Sequence, residues 1–121
     1  MIEQYHNLIG KSALPPLWAL GVHHSRSDYT SVAEMNEVVA NFTSNGIPLD
    51  GIWSDIAYLD LLRVFSLDEN TDFWTINSTL TDWRQNGLHW VPTVMPWLIQ
   101  DDDWNLYTAL LNEAGAVSMD P

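Results

Sequence analysis

Cysteine is absent from the 121-residue chain, and basic residues are scarce. The absence of cysteine excludes a disulfide framework and a thiolate metal site, although it does not by itself fix the compartment. Four Lys and Arg residues stand against sixteen Asp and Glu residues, for a formal net charge of −12. This balance argues against nucleic-acid phosphates and anionic lipid surfaces as partners, and it leaves neutral or cationic partners open.

The sequence also lacks a long apolar run. No stretch approaches the roughly 20 apolar residues that span a bilayer, and residues 1–11 lack the basic-then-apolar layout of a signal peptide. We interpret the chain as a mature or processed piece, or as a fragment. It contains 46% hydrophobic residues, enough to bury the core of one domain, and seven tryptophans. An acidic, tryptophan-rich and lysine-poor composition hints at a surface that handles sugars.

Helical patterns recur between short apolar runs. Ser31 and Glu34 form a capping box that predicts the start of the first helix, which Asn45 and Gly46 end. Apolar residues recur at helical spacing between these signals, which makes this element the clearest of the chain. Two further helices are predicted at residues 78–86 and 103–114, ending at Gly87 and Gly115.

Three short apolar runs predict buried strands, at residues 17–23, 51–58 and 88–95. Pro92 predicts a bulge or a missing hydrogen bond in the third strand, and residues 116–119 are the candidate start of a fourth. The predicted strands start near residues 17, 51, 88 and 116. Such spacing is typical of βα units, whose right-handed crossovers place successive strands parallel. The predicted fold class is α/β, either a small open sheet or part of a (β/α)8 barrel, which needs about 250 residues when complete.

Three segments carry a resemblance to a known family. They are IGKSALPPLWALGVHHSR (9–26), EVVANFTSNGIPLDGIWSDIAYLD (37–60) and the third strand with its following proline (90–96). The run PPLWALG, followed one helix later by IPLD-x-IW-x-D, is the most specific part. From Tyr5 to about Met119 the chain resembles glycoside hydrolase family 31, of the α-glucosidase type, at the start of its catalytic barrel. The resemblance implies that residues 1–121 form one partial TIM-type (β/α)8 domain of three to four βα units.

The resemblance also implies a chemistry. Such enzymes act with retention on α-linked glucosides: one carboxylate attacks the anomeric carbon, and a second protonates the leaving oxygen and then activates water. Both catalytic aspartates of the family lie on later strands, so we expect no catalytic residue in this chain. No motif in the sequence predicts a metal or a cofactor. Asp55 matches the family's sugar-binding aspartate on the second strand, where a carboxylate can accept two hydroxyl hydrogen bonds. The expected ligand is an α-glucoside or a related carbohydrate.

Several positions depart from the family's pattern. Ser27 stands where members carry a tryptophan, and Ala57 and Met95 stand where they carry aspartates. Residues 63–65 read Arg-Val-Phe instead of Arg-Asp-Phe. The loss of an aromatic platform and two carboxylates removes stacking area and hydrogen-bond acceptors, at about 1–3 kcal/mol each. Pocket positions have changed while scaffold positions have held, which is typical of a degenerate relative.

Three further side chains are expected to bind sugar together with Asp55. His24 and Arg26 lie near the end of the first predicted strand, and Trp97 follows the third. Because adjacent strand residues point to opposite faces, His23 and His24 do not suit one metal, and we expect one in the core and one in the pocket. Asp55 has a second interpretation, as a strand-end residue that caps a nearby helix N-terminus.

Other aromatic and acidic residues are expected to be structural. Trp53, Trp83 and Trp90 lie on periodic elements and are predicted to be core residues. Residues 101–103 are three aspartates that lack the ligand spacing of a calcium loop. They are predicted to form a solvated loop, with Asp103 near the following helix N-terminus.

Two triplets, Asn41-Phe42-Thr43 and Asn77-Ser78-Thr79, fit the acceptor pattern for N-linked glycans. Modification requires passage through a secretory route. Because the resembled family has lysosomal and secreted members, we expect a secreted or lysosomal location and glycans at Asn41 and Asn77.

Two functions, and a weaker third, follow from these patterns. In the first, the chain is the sugar-binding segment of an α-glucosidase-like hydrolase, without activity alone and completed by the remainder of the barrel. In the second, it is a non-catalytic structural protein whose open strand edges are covered by identical subunits, giving a homo-oligomer or a filament. In the third, it is a carbohydrate-binding module that keeps only the contact at Asp55. Hydrolysis by this chain alone is not expected, because retaining hydrolysis needs two positioned carboxylates.

Overall fold

A computed structural model describes residues 1–114. The three strands form one parallel sheet in the order β1-β2-β3, and α2 and α3 make the crossovers between them. The predicted α/β fold is thereby confirmed, with three βα units in the described part. The predicted stop at Gly115 and the candidate strand at 116–119 lie outside it. The elements in chain order are α1 (Ile2–Ile9), β1 (His23–Arg26), α2 (Val32–Ser44), β2 (Gly51–Ser54), α3 (Ile76–Gln85), β3 (His89–Pro92) and α4 (Asn105–Ala114).

The register of the sheet brings equivalent residues side by side. The first residues of the strands, His23, Gly51 and His89, lie in one row, and the last residues lie in another row, which we call the carboxyl edge. Alternation along the strands separates two faces. The helix face, which packs against α2 and α3, carries His24, Arg26, Ile52, Ser54, Trp90 and Pro92. The inner face carries His23, Ser25, Gly51, Trp53, His89 and Val91.

The hydrophobic core lies between the helix face and the two crossover helices. Ile52 from β2, Met35 from α2 and Phe73 from the segment before α3 are fully buried. Two polar groups inside this layer are paired: the Trp83 indole donates to Asn36 Oδ1 at 3.0 Å, and the buried Ser54 hydroxyl accepts from the Trp90 indole at 2.8 Å. The remaining buried members of the cluster are Tyr29, Val32, Tyr58, Leu59, Ile76 and Leu88.

Helix α2 begins as its sequence predicts and gains a second cap. The Ser31 hydroxyl accepts from the backbone N–H of Glu34 at 3.1 Å, whereas the Glu34 carboxylate reaches past Ser31 to the backbone N–H of Thr30 at 3.2 Å. Asp72, which precedes α3, accepts from the backbone N–H groups of Val32 at 2.7 Å and of the next residue at 2.8 Å. A carboxylate at a helix N-terminus is stabilising because it meets free N–H groups and the positive end of the dipole.

The strands are shorter than predicted, and the first is misplaced. The run at 17–23 contains a 3₁₀ turn at Leu17–Leu20, because the Trp18 ring turns aside to stack on His89 with ring centroids 4.1 Å apart. The second strand stops at Ser54, where Asp55 caps the 3₁₀ turn Ile56–Tyr58. At Pro92 the structure has no bulge, because Pro92 is the last residue of β3 and the register runs through it without an insertion. The predicted alternative, a missing hydrogen bond, holds because proline has no N–H to donate.

The helix bounds differ from the prediction by a few residues. Helix α3 begins two residues earlier than predicted and α4 begins two residues later, while α1 was not predicted. Helix α1 buries none of its residues, so no core pattern marks it. Among residues 1–114 no helix combines the length and apolar character that crossing a bilayer requires.

Two buried tyrosines allow a matched test of hydrogen bonding in this core. The Tyr58 hydroxyl donates to the Thr93 carbonyl at 2.7 Å, whereas the buried Tyr29 hydroxyl has no partner among residues 1–114. We expect Tyr58→Phe to lower the free energy of unfolding by about 1 kcal/mol, and Tyr29→Phe to leave it unchanged or raise it, because an unpaired buried hydroxyl only loses solvation. Urea unfolding of both variants checks this, and an equal loss in both would contradict the assignment.

Candidate functional site

Asp55 stands at the carboxyl edge, directly after β2. Its backbone is still extended (φ −82°, ψ −171°), so the alternation that places Gly51 and Trp53 on the inner face continues to Asp55. One carboxylate oxygen, Oδ1, accepts from the backbone N–H of Ile56 at 2.9 Å. The capping interpretation is therefore correct for that oxygen. A half-buried carboxylate with one oxygen anchored in this way keeps its second oxygen for another donor.

Below Asp55, the inner face carries a cluster of aromatic rings. The Trp53 indole N–H donates to His23 Nδ1 at 2.8 Å, and His23 Nε2 lies 3.0 Å from the Trp18 carbonyl. Trp18 stacks on His89 across the amino ends of the strands. Trp53, predicted to be a core residue, lies outside the core between the sheet and the helices: the residue is 39% exposed in the described part of the barrel, because alternation turns it away from the helices. Trp83 is buried as predicted.

His24 does not join this face, so its predicted sugar contact is not supported. Its ring lies on the helix face, edge-on to Phe42 of α2 with ring centroids 5.6 Å apart and to Tyr29 at 6.0 Å. Its Nε2 atom is buried and has no partner among residues 1–114. The physical reason is the register, since the residue before it, His23, takes the inner face.

Arg26 ends β1 at the carboxyl edge, but its guanidinium is engaged locally. It donates to Asp28 Oδ1 at 2.8 Å and to Glu34 at 3.3 Å, and it lies 4.8 Å from the centre of the Tyr29 ring. The hydrogen bond from Arg26 lowers the pKa of the Asp28 carboxyl. This arrangement orders the loop that follows β1, so the structure does not bring Arg26 together with Asp55.

Trp97 lies in the segment between β3 and α4, where its side chain is 61% exposed. Exposed aromatic rings are suited to stacking on a sugar or on another protein surface. Of the positions that depart from the family's pattern, Ser27 and Ala57 are exposed and Met95 packs against the core cluster. Because its ring is exposed, Trp97 remains a candidate binding residue.

An ion-pair cluster that sequence patterns do not predict joins the loops after β2 and β3. Arg63 donates from Nε and Nη2 to Asp101 Oδ2 at 2.9 and 2.6 Å, and from Nη1 to Asp60 at 3.0 Å. The prediction of a solvated aspartate loop is therefore wrong for Asp101. The two partners are 38 residues apart in the sequence, and only the shared carboxyl edge of parallel strands signals that they meet.

This cluster holds a strained piece of chain. Leu61, Leu62 and Phe65 adopt left-handed backbone conformations, with φ of 48°, 63° and 64°. Such conformations cost about 1 kcal/mol or more for residues other than glycine, and they persist where surrounding contacts enforce them. The contacts of Arg63, in the middle of this segment, tie it to Asp60 and to the loop after β3.

The Arg63–Asp101 pair predicts a pH dependence of stability. The hydrogen bond from Arg63 lowers the pKa of the Asp101 carboxyl below its usual value of 3.8. The pair therefore stabilises the folded chain above the usual pKa, and this contribution is lost as the pH falls through the lowered pKa. We expect Asp101→Asn to flatten the dependence of the unfolding free energy on pH below about 4.

The neighbouring Asp102, which is exposed, supplies the control. The free energy of unfolding, measured with urea at a series of pH values, should depend on pH in Asp102→Asn as it does in the parent chain. Parallel curves for the parent and Asp101→Asn would contradict the assigned role.

Two other surfaces lie away from this edge. Asn41 on α2 and Asn77 on α3 are both exposed, as a glycan would require.

A cavity of about 770 Å³ opens between the carboxyl ends of α2 and α3, at the amino ends of the strands. It is lined by Val39, Thr43, Pro48, Asp50, Trp83 and Leu88, among others. This cavity is therefore distinct from the surroundings of Asp55.

Comparison with known proteins agrees with this geometry. The family model described as the glycosyl hydrolases family 31 TIM-barrel domain matches residues 12–120. The chain belongs to glycoside hydrolase family 31. The family resemblance and the partial-barrel architecture predicted from the sequence are thereby confirmed.

The family 31 relatives are much longer than this chain. Alpha-glucosidase 2 of Bacillus thermoamyloliquefaciens is 39% identical over 107 residues, which cover 88% of this chain and 14% of the relative. The lysosomal acid alpha-glucosidase of Tetrahymena pyriformis is 36% identical over 94 residues, covering 77% of this chain and 10% of the relative. The crystal structure of a family 31 alpha-glucosidase from Bacteroides thetaiotaomicron matches with a TM-score of 0.76 and 28% identity, over 88% of this chain and 18% of that one. The chain therefore spans less than a fifth of each.

Proposed function

We propose that this family 31 chain is the opening, sugar-binding segment of an α-glucoside-hydrolysing barrel, in which Asp55 holds the sugar. The whole of residues 1–121 would form one partial barrel domain. The observation that carries the proposal is the position of Asp55: it follows β2 at the carboxyl edge, on the inner face, with one carboxylate oxygen anchored and the other not engaged by residues 1–114. In (β/α)8 enzymes, active sites form at this edge.

The site proposed here is smaller than the one expected from the sequence alone. Asp55 is its centre and Trp97 is the aromatic side chain offered to the sugar, whereas His24 faces the helices and Arg26 is paired with acidic neighbours. The retaining mechanism needs a nucleophile and an acid/base carboxylate about 5–5.5 Å apart. The family resemblance implies that both lie on later strands, so we expect the chain by itself only to bind and orient the substrate.

A chimera tests this proposal. In it, residues 12–120 of this chain replace the matching segment of the Bacteroides thetaiotaomicron enzyme, and hydrolysis of p-nitrophenyl α-glucoside is measured. We expect hydrolysis by the chimera and none by the 121-residue chain. A second chimera restores the family's residues through Ser27→Trp, Ala57→Asp and Met95→Asp, and it should be the faster of the two. If both chimeras fold but neither hydrolyses the substrate, the proposal is wrong.

A structural role as a self-assembling protein is the second candidate. It is favoured by the two outer strands, since within the described sheet β1 and β3 each pair on one side only, and by the changed pocket positions. Unpaired strand edges can pair with another chain. The mass of the native particle, measured by light scattering, discriminates the two. A defined homo-oligomer of 121-residue units supports assembly, whereas a larger covalent chain or a complex with a second polypeptide supports the hydrolase.

The cellular route is a further proposal. Relatives include lysosomal α-glucosidases, and Asn41 and Asn77 are exposed in acceptor triplets. We propose passage through the secretory pathway with glycans at both positions. Expression in secreting eukaryotic cells should give a chain whose mass falls when a glycosidase removes its N-linked glycans. The mass should fall by two glycans in the parent, and Asn41→Gln and Asn77→Gln should each remove one of the two. A mass unchanged by the treatment would contradict it.

A further inference from the structure

The His23 ring is bound through both of its nitrogens. Nδ1 lies 2.8 Å from Nε1 of Trp53, and Nε2 lies 3.0 Å from the carbonyl oxygen of Trp18. An indole nitrogen can only donate a hydrogen bond and a carbonyl oxygen can only accept one. The geometry therefore requires a neutral imidazole with its proton on Nε2 and a bare, accepting Nδ1.

The space around this ring allows little rearrangement. A Cβ atom on Gly51 would collide with the His23 imidazole, so the ring lies directly against the backbone of β2. On its other side the Trp18 ring is tilted against it, with centroids 5.9 Å apart. A ring confined in this way cannot easily turn to offer its other nitrogen to Trp53.

Trp53 depends on this contact more than a core residue would. Its side chain is 39% exposed on the inner face, and the only hydrogen bond of its indole within residues 1–114 is the one to His23. Trp53 lies two residues before Asp55 on the same face. Its indole is thus the nearest aromatic surface below the proposed sugar-binding carboxylate along β2.

We propose that His23 is a positioning residue that holds the Trp53 indole beneath Asp55, and that protonation of His23 releases it. A second proton on the ring would occupy Nδ1 and face the indole N–H, so that two donors would meet where a hydrogen bond was. The effect on a sugar rests on the proposed function of Asp55. The fixed tautomer and the release of Trp53 do not.

Two other titratable side chains face this cluster. His89 stacks on the far face of Trp18, and a protonated imidazole over an indole face is attractive, so its titration does not break the Trp53 contact. The Asp50 carboxylate accepts from the backbone N–H of Val22 at 2.9 Å, beside the start of β1. It anchors the chain before His23, and within residues 1–114 it makes no hydrogen bond to either His23 nitrogen, since Trp53 and Trp18 are their partners.

Nuclear magnetic resonance of the ¹⁵N-labelled 121-residue chain tests the tautomer without any substitution at His23. At about pH 8 we expect Nε2 of His23 to carry the proton and Nδ1 to resonate as a bare nitrogen. Trp53→Phe identifies the Trp53 indole signal. When acid adds the second proton to His23, as the signals of its own ring nitrogens report, the Trp53 indole signal should shift and lose protection from solvent exchange at the same pH. A proton on Nδ1 at high pH, or a Trp53 signal indifferent to the His23 titration, would overturn the proposal.

Two variants separate positioning from simple packing. His23→Asn keeps an oxygen acceptor near the position of Nδ1 but cannot titrate, so it should preserve the Trp53 signal and remove its pH dependence. His23→Phe fills the space without an acceptor, so the Trp53 indole N–H should exchange with solvent without protection at every pH. His89→Asn is the control, and its Trp53 titration should match that of the parent. If His89→Asn abolishes the pH dependence of the Trp53 signal, His89 and not His23 causes the effect, and the proposal is wrong.

The chimera supplies the functional arm. His23→Phe should raise the KM for the glucoside about fivefold with a smaller change in kcat, and His23→Asn should restore most of the loss. A KM for His23→Phe equal to that of the parent would show that Trp53 does not contribute to binding. An inactive chimera in which the chain keeps the bare Nδ1 would instead count against the proposed hydrolase function and leave the positioning of Trp53 supported.

Discussion

Replacing Asp55 by asparagine in the chimera is expected to lower kcat/KM about 100-fold or more. The proposed role requires a carboxylate that accepts hydrogen bonds from two sugar hydroxyl groups, and bonds to a charged group contribute about 1.5–3 kcal/mol each. Asparagine keeps an oxygen that can accept from the backbone N–H of Ile56, as Asp55 does at 2.9 Å. The cap at the end of β2 is therefore preserved, and the loss reports on the sugar contact.

Asp102→Asn is the matched control for this substitution. It removes the same charge from the loop that follows β3, where Asp102 is exposed. We expect its kcat/KM to stay within about twofold of the parent, because exposed charges contribute little. If Asp55→Asn and Asp102→Asn have equal activity, Asp55 is a capping residue and not a sugar ligand.

Truncating Phe73 is expected to have the largest effect on folding. Phe73 is fully buried and packs edge-on against Tyr58, with ring centroids 6.4 Å apart, where the segment before α3 meets the core. Phe73→Ala should lower the free energy of unfolding by about 3–5 kcal/mol, since it removes buried apolar area and leaves a cavity. Because Asp72, the residue before it, caps α2, collapse at this position would also loosen the start of that helix.

The adjacent Trp74 provides the comparison for Phe73. Its side chain is larger but 54% exposed, so Trp74→Ala should cost about 1 kcal/mol or less. Urea unfolding followed by circular dichroism measures both variants without depending on tryptophan fluorescence. A loss for Trp74→Ala as large as that for Phe73→Ala would mean that the core does not lie where the structure places it.

Local signals predicted the helices better than the strands. The cap of α2 is written in consecutive residues, Ser31 to Glu34, and both of its sequence-predicted ends are close to the observed ones. The strands are only four residues long, and an apolar run does not show where pairing stops. At residues 17–23 the decisive contact is the stacking of Trp18 on His89, which lies far along the chain.

The site was predicted in part, for a similar reason. The position of Asp55 follows from the end of one strand and from alternation, both of which are local. Choosing between His23 and His24 requires the register of β1 against β2, which sequence spacing does not contain. The Arg63–Asp101 pair likewise depends on two loops that meet only because their strands are parallel neighbours. The signals that remain hidden in the sequence are therefore those made by contacts between distant segments.

The measurement that tests the central claim most directly is a crystal structure of the chimera with glucose bound. We expect the Asp55 carboxylate to lie about 2.7–3.0 Å from two glucose hydroxyl oxygens, with the sugar at the carboxyl edge above Trp53. The account would be contradicted by glucose bound in the completed barrel without contact to Asp55, with both carboxylate oxygens engaged by the protein instead.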